Sequence, residues 1–126
     1  MRRFLVGTAL LAVLLLVGVW AGNRMERVHM PCAVDLQWAQ TQASQENWVE
    51  ATALTQRARD TWHRNWHFTA TLANHEPMDE IDALFEELEV HLQRRDGATF
   101  SAACSYLAQK VQDLGDSSRL SWWNLL

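Results

Sequence analysis

His63 and His67 stand four apart in the run Trp62-His63-Arg64-Asn65-Trp66-His67. On a continuous helix that spacing puts two imidazoles on one face, the arrangement zinc-binding helices use. The surroundings argue against it: there is no HExxH motif, Arg64 intervenes, and further ligands would have to come from elsewhere. The plainer reading is two polar residues flanking a tryptophan stripe. His75 precedes Glu76 and lies close to Asp79, so it can be cast as a pH-responsive or metal-assisted group. Its plainer role is to fix an interhelical turn by bonding a terminal carbonyl or the start of the next helix. These three histidines are the weak candidates for metal; no metal and no cofactor is expected. The chain also has no nucleophile elbow, no Gly-rich phosphate loop and no Cys-x-x-Cys pair, so no catalytic residue is assigned and it is not read as an enzyme.

Seven tryptophans are many for 126 residues. At 100° per residue Trp48, Trp62 and Trp66 fall within about 40° of one another, with Trp38 apart. Such a stripe is usually core, and becomes a stacking or partner surface only where the rings are exposed. Trp122, Trp123 and Asn124, in the apolar end of the chain, are read the same way, as docking or interaction residues. Cys32 and Cys104 are the only cysteines, an even count that permits a disulfide outside the cytoplasm. The bond depends on architecture, since one unbroken helix over 33–74 would hold Cys32 far beyond the ~7 Å Cα limit.

The elements that must position these residues begin with an apolar run. Phe4 to Ala21 contains no charge, follows Arg2 and Arg3, and carries Trp20 near its end, as a transmembrane helix does. A cleaved signal peptide competes, because Val19-Trp20-Ala21 before Gly22 is a tolerable cleavage pattern. The anchor is taken because the run exceeds the ~7–15 apolar residues usual in signals. Residues 1–22 are thus read as an anchor, 23–31 as a connector and 32–126 as one extracytoplasmic helical domain. Arg2 and Arg3 would stay inside by the positive-inside rule, although Arg24 and Arg27 weaken the asymmetry.

After Gly22 the charges are nine Lys or Arg against fifteen Asp or Glu, a formal −6 that makes nucleic acid and anionic lipid poor partners. Pro31 suits the start of a helix near Cys32. Over 33–74 there is neither Pro nor Gly, and the apolar residues recur at helical spacing, so one long helix is open. So are two helices divided at the polar stretch 41–46, with Asn47 as cap and Glu50 completing a capping-box-like pair; the turned-back arrangement is preferred. Asn74-His75-Glu76-Pro77 marks the next boundary. Met78, Ile81, Phe85, Leu88 and Leu92 then stripe one helix, and Phe100, Ala103, Leu107, Val111 and Leu114 another, beyond Asp96-Gly97. The fold class is all-α: an N-terminal transmembrane helix and a small antiparallel three- to four-helix bundle. A faint echo pairs Trp48/Ala51 with Phe100/Ala103, each after a polar turn, as tetratricopeptide-like hairpins would.

Asn47-Trp48 with Ala51, Trp62, Asn74-His75-Glu76 leading into Met78-Asp79-Glu80-Ile81, and the closing Asn124-Leu125-Leu126 resemble a family of small bacterial membrane-anchored proteins, domain of unknown function 4363. The resemblance implies a single-span protein of Gram-positive spore-forming and related bacteria. It also implies an accessory role beside a multi-span membrane protein, with no catalytic residues to carry over; the cysteine pair and the tryptophan count depart from it. The expected function is an extracytoplasmic interaction or accessory module, tied to the membrane through residues 4–21 and acting on another membrane protein. The alternative is a metal- or small-ligand-binding sensor using histidines.

Overall fold

The computed structural model describes the backbone of residues 1–72 and 75–124, and the side chains of these except 72 and 117–124. It holds five helices, α1 (Arg2–Ser44), α2 (Trp48–Arg64), α3 (Trp66–Leu72), α4 (His75–Arg94) and α5 (Gly97–Asn124), with no strand among the described residues. The all-α bundle expected from the stripes is present. α1 packs against α2 and α5, α4 against α5, and α2 more sparsely against α4, so the four long helices close an up-down-up-down ring.

The helix expected to start near Cys32 instead begins at Arg2 and runs unbroken through Pro31. Proline removes one N–H and crowds the carbonyl four residues back. Here Pro31 lies on the exposed side of α1, and the buried residues Met25, His29, Cys32, Leu36, Ala39 and Ala43 follow a four-three alternation that carries the helix across it. The first half of α1 is long and apolar enough to cross a membrane, and nearly all of it is exposed: Leu10 is 60% and Leu16 70% accessible.

The stretch over 33–74 is divided, as the turned-back arrangement requires. α1 ends at Ser44, and Glu46 takes φ 60° while its N–H bonds the Ala43 carbonyl and that of Asn47 bonds the Gln42 carbonyl. This is a Schellman close with glutamate where glycine is usual. Asn47 does not cap α2 through its side chain; its Nδ2 donates to Gln42 Oε1 at 3.1 Å instead, so the expected capping box is absent. The other turn repeats the geometry: Arg95 at φ 51° bonds back to Leu92, and Asp96 to His91. Asp96 does cap, accepting from the Thr99 N–H and hydroxyl at 3.3 and 2.7 Å, which holds its carboxyl below the usual range. Left-handed backbone costs an L-residue about 1–2 kcal/mol. Glu46→Gly and Arg95→Gly are each expected to raise stability by about 1 kcal/mol, read as a higher urea midpoint of the full chain in detergent, whereas Glu46→Ala should give no such gain.

The faint internal echo is real, but in another register. A shift of 49 residues carries Cys32, Leu36, Ala39 and Ala43 onto Ile81, Phe85, Leu88 and Leu92, and Ala51, Thr55, Ala58 and Trp62 onto Phe100, Cys104, Leu107 and Val111; all are buried. Trp48 therefore matches Gly97, not Phe100, and its ring fills the space glycine leaves, 3.8 Å from where a Cβ would stand. Two equivalent helical hairpins build one core, and both hairpin turns lie at the same end, the tip. The apolar segment projects from the opposite end, the base, where α3 joins the hairpins.

Polar pairs stitch neighbouring helices outside the core. Arg57 donates twice to Asp35, at 2.9 and 2.7 Å, tying α2 to a carboxylate only 10% exposed on α1. Arg59 pairs with Glu89 across α2 and α4. Glu80 on α4 accepts from Tyr106 at 3.0 Å and lies 3.4 Å from Lys110, both on α5.

Candidate functional site

α1, α2 and α3 meet at the base around His29, which is 2% exposed. Thr69 on α3, itself fully buried, places its hydroxyl 2.9 Å from the Asn65 carbonyl and 3.1 Å from His29 Nε2. Its single proton goes to the carbonyl, so the oxygen accepts from Nε2–H, and the neutral imidazole keeps its lone pair at Nδ1. That Nδ1 is buried with no partner among the described residues. The ring lies against Trp62, centroids 5.6 Å apart at 40°. Burial pushes the imidazole down from 6.5 to about 4, so it is neutral near pH 7. The sign follows: an unfolded chain takes up this proton below about 6.5 while the folded ring refuses it, so stability falls as pH drops from there toward 4. The 49-residue shift carries His29 onto Met78, a fully buried apolar residue. Packing alone therefore does not call for an imidazole here.

Trp62 leads to a second shared contact. Its indole N–H donates to Asp82 Oδ1 at 2.6 Å, and that of Trp66 to Oδ2 at 3.3 Å, so one carboxylate on α4 receives the ring donors of α2 and α3. Trp66 stands edge-on to His67 at 5.5 Å and tilted to His75 at 6.5 Å. Below, the Arg24 guanidinium lies 5.6 Å from the Trp20 ring centre and 5.2 Å from that of Phe68, tying α3 to the end of the apolar segment.

The histidines singled out from spacing do not form a constellation. α2 ends at Arg64, where Asn65 donates from Nδ2 to the Thr61 carbonyl at 2.9 Å, so His63 and His67 lie on separate helices and not on the one continuous helix expected. His63 accepts from Arg59 at 3.3 Å; His67 and His75 are exposed. Among the described residues no group of three or more His, Cys, Asp or Glu is placed to hold a metal ion. The tryptophans also part company: Trp62 is 1% exposed at the base, Trp66 half-buried beside it, and Trp48 half-buried at the tip, edge-on to Phe100 at 5.9 Å. Trp122, Trp123 and Asn124 have side chains outside the described residues, as does Asn74 altogether. Cys32 and Cys104 are both buried free thiols, not a disulfide. Cys32 donates to the Ala58 carbonyl at 3.4 Å, and burial, reinforced by Asp35, lifts it to about 12; burial alone lifts Cys104 to about 12.

At the tip, α2 and α4 diverge around a cleft of about 570 Å³ lined by Trp48, Val49, Gln56, Leu92, Gln93 and Arg95 among others. A second cleft of about 370 Å³ opens on the other side of Trp48, between the two hairpin turns, and shares Arg95. Val49, at the rim of the first cleft, is 83% exposed.

A family model described as a domain of unknown function (DUF4363) matches residues 19–125. The chain belongs to this family. The DUF4363 match takes in both hairpins and α3, together with the stretch of α1 around His29, which lies within the expected connector 23–31. No curated protein and no solved structure matches the chain. His29, Thr69 and Asp82 were missed from sequence. For His29 a signal existed, the four-three spacing Met25-His29-Cys32-Leu36, had it been read through Pro31; Asp82 looked like any member of a solvated acidic face.

Proposed function

We propose that this DUF4363 protein is a non-catalytic, membrane-tethered docking module: residues 4–21 cross the membrane, and the bundle, on the extracytoplasmic side, presents the cleft at Trp48 to another membrane protein. The observation that carries the reading is the continuity of α1. Its exposed apolar half needs a nonpolar medium, and at ~1.5 Å per residue its eighteen residues span about 27 Å, close to a bilayer core. A cleaved signal is disfavoured because Ala21 and Gly22, which flank the candidate cut, are buried inside a packed helix. An interaction role is supported by the two clefts that converge on Trp48, with exposed Val49 at the rim and the Arg95 cation beside both.

The test is a photo-crosslinking amino acid at Val49 in the full chain, irradiated in native membranes. A single crosslinked membrane protein, lost on Trp48→Ala, is the expected result. Crosslinking to lipid alone, or to nothing, would overturn the docking role.

A further inference from the structure

His29 has a second environment within reach. A recess of about 150 Å³ between α1 and α5 is lined by His29 itself with Glu26, Met30, Gln112, Gly115 and Asp116, and Thr69 is not part of its lining. It is narrow because Gly115 brings α5 against α1: a Cβ there would stand 4.0 Å from the Glu26 Cα and the Met25 carbonyl. The present site and the recess favour opposite charge states. Beside Trp62, with Nε2–H committed to Thr69, a proton on Nδ1 would be a buried charge with no acceptor. In the recess two carboxylates and an amide oxygen can accept from an imidazolium.

We propose that His29 is an acid-operated latch: when protonated, its ring leaves Thr69 and turns into the recess, where Glu26 and Asp116 receive it, and α3 is released from α1. Among the described residues, the charged groups near the ring are Glu26 on α1 and Asp116 on α5 at the recess, Asp82 on α4 behind Trp62, and Arg24, the cation over Phe68 beside Thr69; Trp62 and Thr69, on α2 and α3, do not titrate. Once the ring is in the recess, Glu26 and Asp116 favour the cation, and Arg24 opposes it. The ring beside Thr69 resists a proton down to about 4, whereas the ring beside two carboxylates takes one more readily, so the transition lies above about 4. α3 is suited to release: it is seven residues long, with Thr69 fully buried among its described side chains and Arg24 holding Phe68 from below. The Met78 position of the second hairpin carries no such group, so the device belongs to the hairpin that holds the anchor.

The test is hydrogen exchange of the α3 amides in the full chain in detergent, corrected for intrinsic exchange, from pH 7.5 to 4.5. Wild-type protection is expected to fall as the pH drops, by up to about tenfold per pH unit on the approach to the midpoint, the response to one proton. H29M, which copies Met78, should hold α3 protection constant. E26Q/D116N, which keeps the histidine, should move the midpoint to lower pH. Constant protection in the wild type, or an H29M profile that follows the wild type, overturns the latch. An E26Q/D116N midpoint equal to the wild type's overturns the recess as the ring's destination.

Discussion

Replacing Leu10 and Leu14 together by arginine is expected to shift the protein from the carbonate-resistant membrane pellet to the supernatant. Both side chains are more than half exposed near the middle of the apolar segment, with no bundle surface to shelter them. Arginine at the centre of a spanning helix costs about 2.5–3.5 kcal/mol, so two cost about 5–7 kcal/mol and reverse the partition of an eighteen-residue span. The bundle should be spared, because its buried residues begin only at Ala21. Leu10→Ala/Leu14→Ala should stay in the pellet, which separates loss of insertion from loss of bulk. If the double arginine variant remains membrane-bound, residues 4–21 are not what holds the protein there.

The second large effect is expected at Asp82. Asp82→Ala removes the acceptor of two indole donors, and the one on Trp62 is then sealed in the base with nothing to bond. A buried donor left unmatched, after losing a bond to a charged partner, costs about 2–3 kcal/mol. The loss should appear as a lower urea midpoint of the full chain in detergent. Trp66, half-buried and bonded at 3.3 Å, contributes the smaller share, and Trp62, bonded at 2.6 Å, the larger. In a Trp62→Phe background, which has no N–H to strand, Asp82→Ala should therefore cost well under half as much. Equal costs in the two backgrounds would show that Asp82 acts on stability by some route other than the Trp62 bond.

Both expectations touch residues that the sequence treats very unequally. The four-three spacing of Ile81, Phe85, Leu88 and Leu92 predicts their burial, because an amphipathic helix has one dry face and periodicity locates it. The two polar turns were legible for the same reason, as interruptions of pattern. Ala103, counted into the α5 stripe, is only half-buried, and Cys104 and Ala108 sit in the core beside it. What periodicity cannot deliver is a partner on another helix. Asp82 stands among eight carboxylates between Glu76 and Asp96, and only the approach of α2 and α3 makes it the one that holds two tryptophans. The break at Asn65 was hidden in the same way: spacing alone does not show that His63 closes one helix and His67 belongs to the next. Pro31 misled in the opposite direction, since a breaker ends a helix only when nothing else holds it, and here the burial of His29 before it and of Cys32 after it does.

With residues 4–21 spanning the membrane as proposed, the unbroken α1 would also make the molecule a lever with its fulcrum at the membrane surface. From Ala21 to Ser44 the helix rises about 35 Å at ~1.5 Å per residue, with no hinge between the apolar segment and the bundle core. A span that tilts by ~20°, within the ordinary range by which helices match bilayer thickness, would then sweep the Trp48 tip sideways by about 12 Å. The thickness of the surrounding lipid would in this way set where the far end of the bundle can reach.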